Sequence, residues 1–195
     1  MEVETLVYRV KITLREIEPP IWRLVLVPEN ITFNKLHKLI QAAFGWQDYH
    51  LFNFHFGDVV VDIPDPDYGP GEIYGDTKQM NARRTKIDDL FVERKQCVYT
   101  YGFGDNWEHE VLMEEIVPGE EGQHYPLCIG GERSRPPEDV GGVSGYERFL
   151  STITDPEDPE HDEYLEWAEK DTGGRKFYPE YFSINEVNRA LKKIR

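Results

Sequence analysis

The sequence predicts an α+β protein: antiparallel strands carrying one packed helix, then an extra strand and a C-terminal acidic helical extension. Three observations predict it. Residues 5–14 and 21–27 read as strands joined by a short break, residues 33–44 carry apolar side chains at helical spacing, and after Pro118 the texture changes to irregular chain and acidic helices. The chain has 195 residues, 39% hydrophobic and 13% aromatic, enough for one well-cored domain. We therefore expect a single domain over 1–195. Its core spans 1–117 with an insertion at 57–84, and 118–195 is a glycine- and proline-rich loop with helices packed on that core.

The elements follow in order. Thr5 to Leu14 sets Leu6, Tyr8, Val10, Ile12 and Leu14 on one face and Val7, Arg9, Lys11 and Thr13 on the other, the period of a half-buried strand. Pro19 and Pro20 break it, since two prolines cannot both sit inside a ladder. Ile21–Val27 is the second strand of a hairpin. Thr32 caps a helix whose Phe33, Leu36, Ile40, Ala43 and Phe44 form one stripe, and Gly45 ends it. Phe52, Phe54 and Phe56 resume alternation. Pro64, Pro66, Pro70 and several glycines make 57–84 loop-like, with a short strand at Val59–Ile63. Thr85–Phe91 is a helical turn, Gln96–Phe103 a strand, Gly104–Asn106 a turn, and Trp107–Ile116 the extra strand. Residues 118–143 hold eight glycines or prolines before Gly141-Gly142 and read as irregular. Helices are expected at Tyr146–Ile153, at Glu160–Lys170 and after Ser183, where Glu186 completes a capping box and Arg189, Lys192, Lys193 and Arg195 suit the C-terminal end of the dipole.

Charge excludes some function classes. Residues 1–100 hold 12 Lys/Arg and 15 Asp/Glu, a net of −3; residues 101–195 hold 10 and 22, a net of −12, and together they make the −15 of the chain. A field of that sign repels a phosphate backbone, so no nucleic-acid partner is expected. There is no run of about 18 apolar residues and hence no expected membrane span. The first residues carry early acids and no apolar stretch of the secretory type. Cys97 and Cys128 are too few for a four-cysteine zinc site and do not call for an oxidising compartment. A cytoplasmic location is the expectation.

The order strand, strand, helix, strand, short turn, strand resembles the β-grasp fold of ubiquitin over roughly the first 103 residues. The resemblance implies a mixed sheet wrapped on one helix, and nothing about conjugation, because no diglycine tail follows the last strand. A second resemblance spans nearly the whole chain. Leu36–Trp46 with His50-Leu51, Tyr101-Gly-Phe-Gly-Asp-Asn-Trp-Glu-His109, Cys128-Ile-Gly-Gly131, Arg135-Pro-Pro-Glu-Asp-Val-Gly-Gly142 and Gly145-Tyr-Glu147 are similar to the ORF-three-like family named from a root-inducing plasmid. Gly102 departs from the acidic residue common in the family's Phe-Gly-Asp motif. Some members carry a transposon resolvase-like label, which implies a mobile-element association but is not supported by the residues themselves.

The densest cluster of chemistry lies between Tyr99 and His109 and between Arg135 and Gly142. Asp105, Trp107, His109, Glu138 and Asp139 are expected to line one concave surface, with Arg135 close by and His50 reaching it from the start of a strand. No cofactor is expected; Asp105, His109, Glu138 and Asp139 are the candidate ligands should a divalent cation bind. Each has a structural counterpart: Asp105 can accept turn N–H groups, His109 can be a satisfied core imidazole, and Glu138 and Asp139 can occupy the first turn of a helix started by Pro136-Pro137. No phosphate-loop frame, nucleophile elbow or His-x-x-x-His pair occurs. The leading expectation is a non-enzymatic binding or adaptor module for a protein or small ligand. The alternative is a hydrolase-like metal-dependent enzyme, and a DNA recombinase stands third.

Overall fold

Two N-terminal strands, β1 (Leu6–Leu14) and β2 (Ile21–Pro28), pair antiparallel from Val7 opposite Pro28 to Leu14 opposite Ile21. The computed structural model describes residues 6–65, 67 and 74–194. Thr5 of the first expected strand, Pro66 and Pro70 of the insertion, and Arg195 of the last basic turn lie outside the described residues. The remaining strands are β3 (Phe52–His55), β4 (Val59–Asp62), β5 (Lys78–Asn81), β6 (Gln96–Tyr101), β7 (Trp107–Pro118) and β8 (Leu127–Glu132). They form one sheet in the order β5-β4-β3-β6-β7-β1-β2-β8, antiparallel throughout except for the β4–β5 pair. The helices are α1 (Phe33–Phe44), α2 (Asp88–Arg94), α3 (Gly142–Thr154), α4 (His161–Asp171) and α5 (Ile184–Leu191). A mainly antiparallel mixed sheet with helices packed on it makes the fold α+β.

The extra strand is central rather than appended. β7 lies between β6 and β1, hydrogen-bonded to both, and Glu114 is the additional residue of a bulge opposite Arg9 and Val10. β1 keeps its expected alternation from Tyr8 to Leu14, while Leu6 is exposed and Val7 is buried. On one face, α1 buries Phe33, Leu36, Leu39, Ile40, Ala43 and Phe44. The Phe33 ring meets Phe54 at 5.0 Å and Phe91 at 5.8 Å, so the aromatic stripe of β3 and the helix share one cluster. Thr32 caps α1 by accepting the Lys35 N–H at 3.2 Å, and Gly45 takes the left-handed conformation that ends it.

Two strands depart from the expectation. β5 is polar (Lys78-Gln-Met-Asn81) and is held by parallel pairing to β4, not by apolar alternation. β8 falls in the glycine-rich stretch read as irregular, and pairs with β2 at the sheet edge. Asn188 of α5 closes part of that edge: its Oδ1 accepts the Cys128 N–H at 2.7 Å and its Nδ2 donates to the Cys128 carbonyl at 2.9 Å. No helix starts at Pro136-Pro137. Those prolines are buried extended chain, Glu138 and Asp139 sit in a turn, and α3 begins only at Gly142. Ser183 caps α5 as expected, but the Glu186 carboxylate accepts the Tyr181 hydroxyl at 2.9 Å.

One apolar cluster runs from Tyr8 of β1 through Phe149 of α3 to Leu191 of α5. Phe149 joins α3 to α4 and to the following loop through Tyr164, Trp167 and Phe177, with ring centroids 5.0–6.0 Å away. The expected consequence is a single denaturant transition. Phe33→Ala and Phe149→Ala should each lower its midpoint, at a cost of about 3–5 kcal/mol, with fluorescence and far-UV circular dichroism coincident in both. Two separated transitions in Phe149→Ala would show that 142–191 unfolds on its own.

Candidate functional site

After Gly45 the chain turns across one end of the sheet as Trp46-Gln-Asp-Tyr-His50, beside the end of β6 and the start of β7. The Gly102–Asn106 turn joins those two strands at the same end. The segment 133–141 then folds over both. Asp105 fixes the meeting point: its Oδ2 accepts the Gly141 N–H at 3.1 Å. A Cβ on Gly142, whose φ is +67°, would stand 2.6 Å from the Asp105 carbonyl oxygen, so backbone approaches backbone where only glycine fits.

The result is a concavity of about 70 Å³ lined by His50, Gly102, Gly104, Asp105, Trp107, Glu138 and Asp139. His50 Nε2 lies 2.9 Å from Asp139 Oδ1 and 3.8 Å from Glu138 Oε2. Glu138 is buried, and its Oε1 accepts the Gln47 N–H at 2.6 Å and the Tyr101 hydroxyl at 3.4 Å. Burial pushes its carboxyl up, opposed by the Gln47 N–H and the nearby Arg135 charge. Asp139 is largely exposed. The residues flanking His50 in the chain are exposed, Tyr49 at 71% and Leu51 at 68%, as is Phe103 beside Gly102 at 49%.

Of the seven residues singled out by sequence, the structure brings His50, Asp105, Trp107, Glu138 and Asp139 to that surface and leaves two elsewhere. His109 is fully buried behind it. Its Nδ1 faces the Trp107 carbonyl at 3.0 Å and the Tyr99 carbonyl at 3.3 Å, so Nδ1 carries the proton and Nε2 accepts the Trp46 indole N–H at 3.3 Å. With both nitrogens engaged, the imidazole has no lone pair to offer a metal. Burial lowers its pKa to about 4, against a weaker upward effect of the two carbonyls. Arg135 also lies off the concavity. It donates to the Gly45 carbonyl at 2.9 Å and to Asp171 at 2.7 Å, with its guanidinium 4.8 Å from the Trp46 ring centre. Among the described residues no three His, Cys, Asp or Glu side chains gather in a metal-binding arrangement.

Several residues at this end gave no sequence signal. Gln47 donates its Nε2 to Asp171 at 2.9 Å as well as its main-chain N–H to Glu138. Asp171 is the last residue of the acidic helix α4. Deeper in, His37 pairs Nε2 with Asp48 at 2.7 Å and Nδ1 with the Tyr99 hydroxyl at 2.8 Å, which Gln41 also donates to at 2.9 Å. The Tyr99 hydroxyl is buried and burial holds its pKa well up, so this chain of hydrogen bonds braces the core.

A model of the plasmid pRiA4b ORF-3-like proteins matches residues 6–186. The chain belongs to that family. It is 35% identical over 190 residues to "Uncharacterized protein y4hQ" of Sinorhizobium fredii (strain NBRC 101917 / NGR234), covering 96% of this chain and 92% of the relative. A crystal structure titled "Protein of Unknown Function MM3350 from Methanosarcina mazei Go1" superposes with a TM-score of 0.81 at 36% identity, over 95% of this chain and 99% of the other. Family membership therefore carries the fold, and the names of these two relatives assign neither an enzyme activity nor a ligand. No helix among the described residues is long and apolar enough to cross a membrane.

The His109 geometry has a pH consequence. Between 6.5 and about 4 the unfolded chain binds a proton that the folded chain refuses. The contribution is present above pH 6.5 and is lost as pH falls towards 4, about 3 kcal/mol in all. His37, also lowered mainly by burial, acts in the same direction. His109→Gln, whose side-chain oxygen can still accept the Trp46 N–H, should flatten the fall in denaturation free energy between pH 6.5 and 4. An unchanged slope would mean that His109 is protonated in the folded protein.

Proposed function

We propose that this protein is a non-enzymatic binding module that takes a basic segment of a partner protein at the His50–Asp139 concavity. The observation that carries the reading is an acidic floor set inside an exposed apolar rim. Three carboxylates, Asp105, Glu138 and Asp139, line the concavity with one imidazole, while Tyr49, Leu51 and Phe103, the chain neighbours of His50 and Gly102, are exposed. A concavity of about 70 Å³ suits a single ammonium or guanidinium head group and not a whole metabolite. The apolar rim suits side chains on either side of that head group, as in interfaces anchored by a buried centre within a wider contact. The net charge of −15 attracts a basic partner and disfavours nucleic acid, which supports the ranking of the recombinase reading last. A cytoplasmic location belongs to the same reading, supported by two free, buried cysteines. The metal-dependent alternative loses His109, which is committed to Trp46, and among the described residues no three His, Cys, Asp or Glu side chains gather in a metal-binding arrangement.

The test is fluorescence anisotropy with a labelled short peptide carrying one lysine between leucine and phenylalanine, against the same peptide with glutamine for lysine. The lysine peptide should bind in a salt-sensitive way. Asp139→Ala and Tyr49→Ala should each weaken it by about tenfold or more without moving the denaturation midpoint. Equal affinity for the two peptides, or none for either, contradicts the proposal. Stoichiometric Zn²⁺ or Mn²⁺ in protein purified without chelator, lost in Asp105→Ala, would favour the enzyme reading. Salt-sensitive duplex binding tighter than the roughly 10⁻⁴–10⁻⁶ M of non-specific binders would favour the recombinase.

A further inference from the structure

A second cavity, of about 270 Å³, lies where the C-terminal end of α1 meets α5 and the chain around 134–135 and 171–183. Its charge balance is opposite to that of the acidic concavity. Arg23, Arg135 and Arg175 line it against two carboxylates, Asp171 and Glu186. Arg135 and Asp171 neutralise one another at 2.7 Å. Glu186 accepts the Tyr181 hydroxyl and has Arg189 at 3.9 Å.

Arg23 is left without an acid. It is 3% exposed, with its guanidinium between the rings of Phe44 at 4.9 Å and Phe182 at 4.8 Å. Its Nε donates to the Ala43 carbonyl at 2.9 Å, Nη1 to those of Trp22 and Glu132 at 2.7 and 2.8 Å, and Nη2 to that of Arg133 at 2.8 Å. Four carbonyls occupy four of the five N–H groups and leave one on Nη2. Carbonyl dipoles satisfy donors but do not cancel a charge, and burial lowers the pKa of this guanidinium to about 10. The Arg175 guanidinium lies 4.0 Å over the Tyr181 ring, and the one hydrogen bond it donates among the described residues is a long 3.5 Å contact to the Lys176 carbonyl. Two guanidinium groups therefore face the cavity without a carboxylate partner of their own, against one remaining carboxylate, Glu186. The walls between them are apolar: Phe44, Phe177, Phe182, Val187 and the α1 and α5 alanines.

We propose that this cavity binds a small organic monocarboxylate, its apolar body among Phe44, Phe177 and Phe182 and its carboxylate between Arg23 and Arg175. A single negative charge matches the surplus, with Arg23 offering its one free Nη2 N–H and Arg175 its guanidinium fork to the carboxylate. The volume, below the usual range of drug-sized sites of roughly 300–1,000 Å³, restricts the ligand to a small molecule. This site is separate from the peptide-binding concavity, and neither reading depends on the other.

Isothermal titration with phenylacetate, and with phenylacetamide as the neutral isostere, tests it. Phenylacetate should bind at one site with a dissociation constant of about 1 mM or below, and phenylacetamide at least about tenfold more weakly. Arg175→Gln should weaken phenylacetate to a similar degree while leaving the denaturation midpoint unchanged; because Arg175 is at the surface of the cavity, this variant avoids the risk that Arg23→Met fails to fold. Inorganic phosphate, which has no apolar body, should compete poorly. Equal binding of acid and amide, no saturable binding of phenylacetate or hexanoate, undiminished binding to Arg175→Gln, or displacement by phosphate at equal concentration would each overturn the assignment.

Discussion

The buried ion pair between Arg135 and Asp171 joins three separate pieces of chain, and the shape of the acidic concavity depends on it. Both side chains are over nine-tenths buried. Removing two charges from water is costly, and such a pair persists only where the remaining donors and acceptors are also met. Here they are met by the chain that must be held. Arg135 donates to the carbonyls of Gly45 and Pro136, and Asp171 accepts from the Gln47 side chain and from the Glu138 N–H at 3.3 Å. The end of α1, the turn before α3 and the last residue of α4 are thereby locked together. Gln47 passes the constraint on, since its main-chain N–H fixes the Glu138 carboxylate beside Tyr101.

Two surfaces of opposite character result on a strongly acidic chain. At the sheet end, Asp105, the buried Glu138 and the exposed Asp139 line one concavity with His50. Between α1 and α5, Arg23 and Arg175 face a cavity walled by phenylalanines. Arg135 stands between the two: its guanidinium lines the cationic cavity while the residues it positions form the acidic one. The pairing with Asp171 removes the Arg135 charge from the cavity, and leaves Arg23 and Arg175 as the groups whose charge is unopposed.

The elements legible in the sequence are those whose pattern comes from burial on one face. β1, β2 and α1 show period two or the helical stripe because each buries one side against the shared core. β5 and β8 do not, for different reasons. β5 is defined by main-chain pairing to β4 with polar side chains, and β8 is an edge strand in which Gly131 admits the Phe182 ring at a distance no side chain would allow. The site divides similarly. Asp105, Glu138 and Asp139 stand out because acids beside glycine pairs are conspicuous in local sequence. The burial of His109 rests on Trp46, 63 residues earlier, and the role of Arg135 rests on Asp171, 36 residues later. Contacts at such separations leave no local pattern. The alternative of a helix started at Pro136-Pro137 is not realised for a related reason: the acids that suit a helix start serve instead in a turn pinned by Asp171.

The most direct measurement of the central claim is hydrogen exchange at the Gln47 amide, whose N–H points at the buried Glu138 carboxylate. In the wild-type chain this amide should be protected, and in Asp171→Asn it should lose protection by about tenfold or more while amides of β1 and β7 keep theirs, the pattern of local rather than global opening. Unchanged protection of Gln47 in Asp171→Asn would contradict the claim that the Arg135–Asp171 pair holds the site in place.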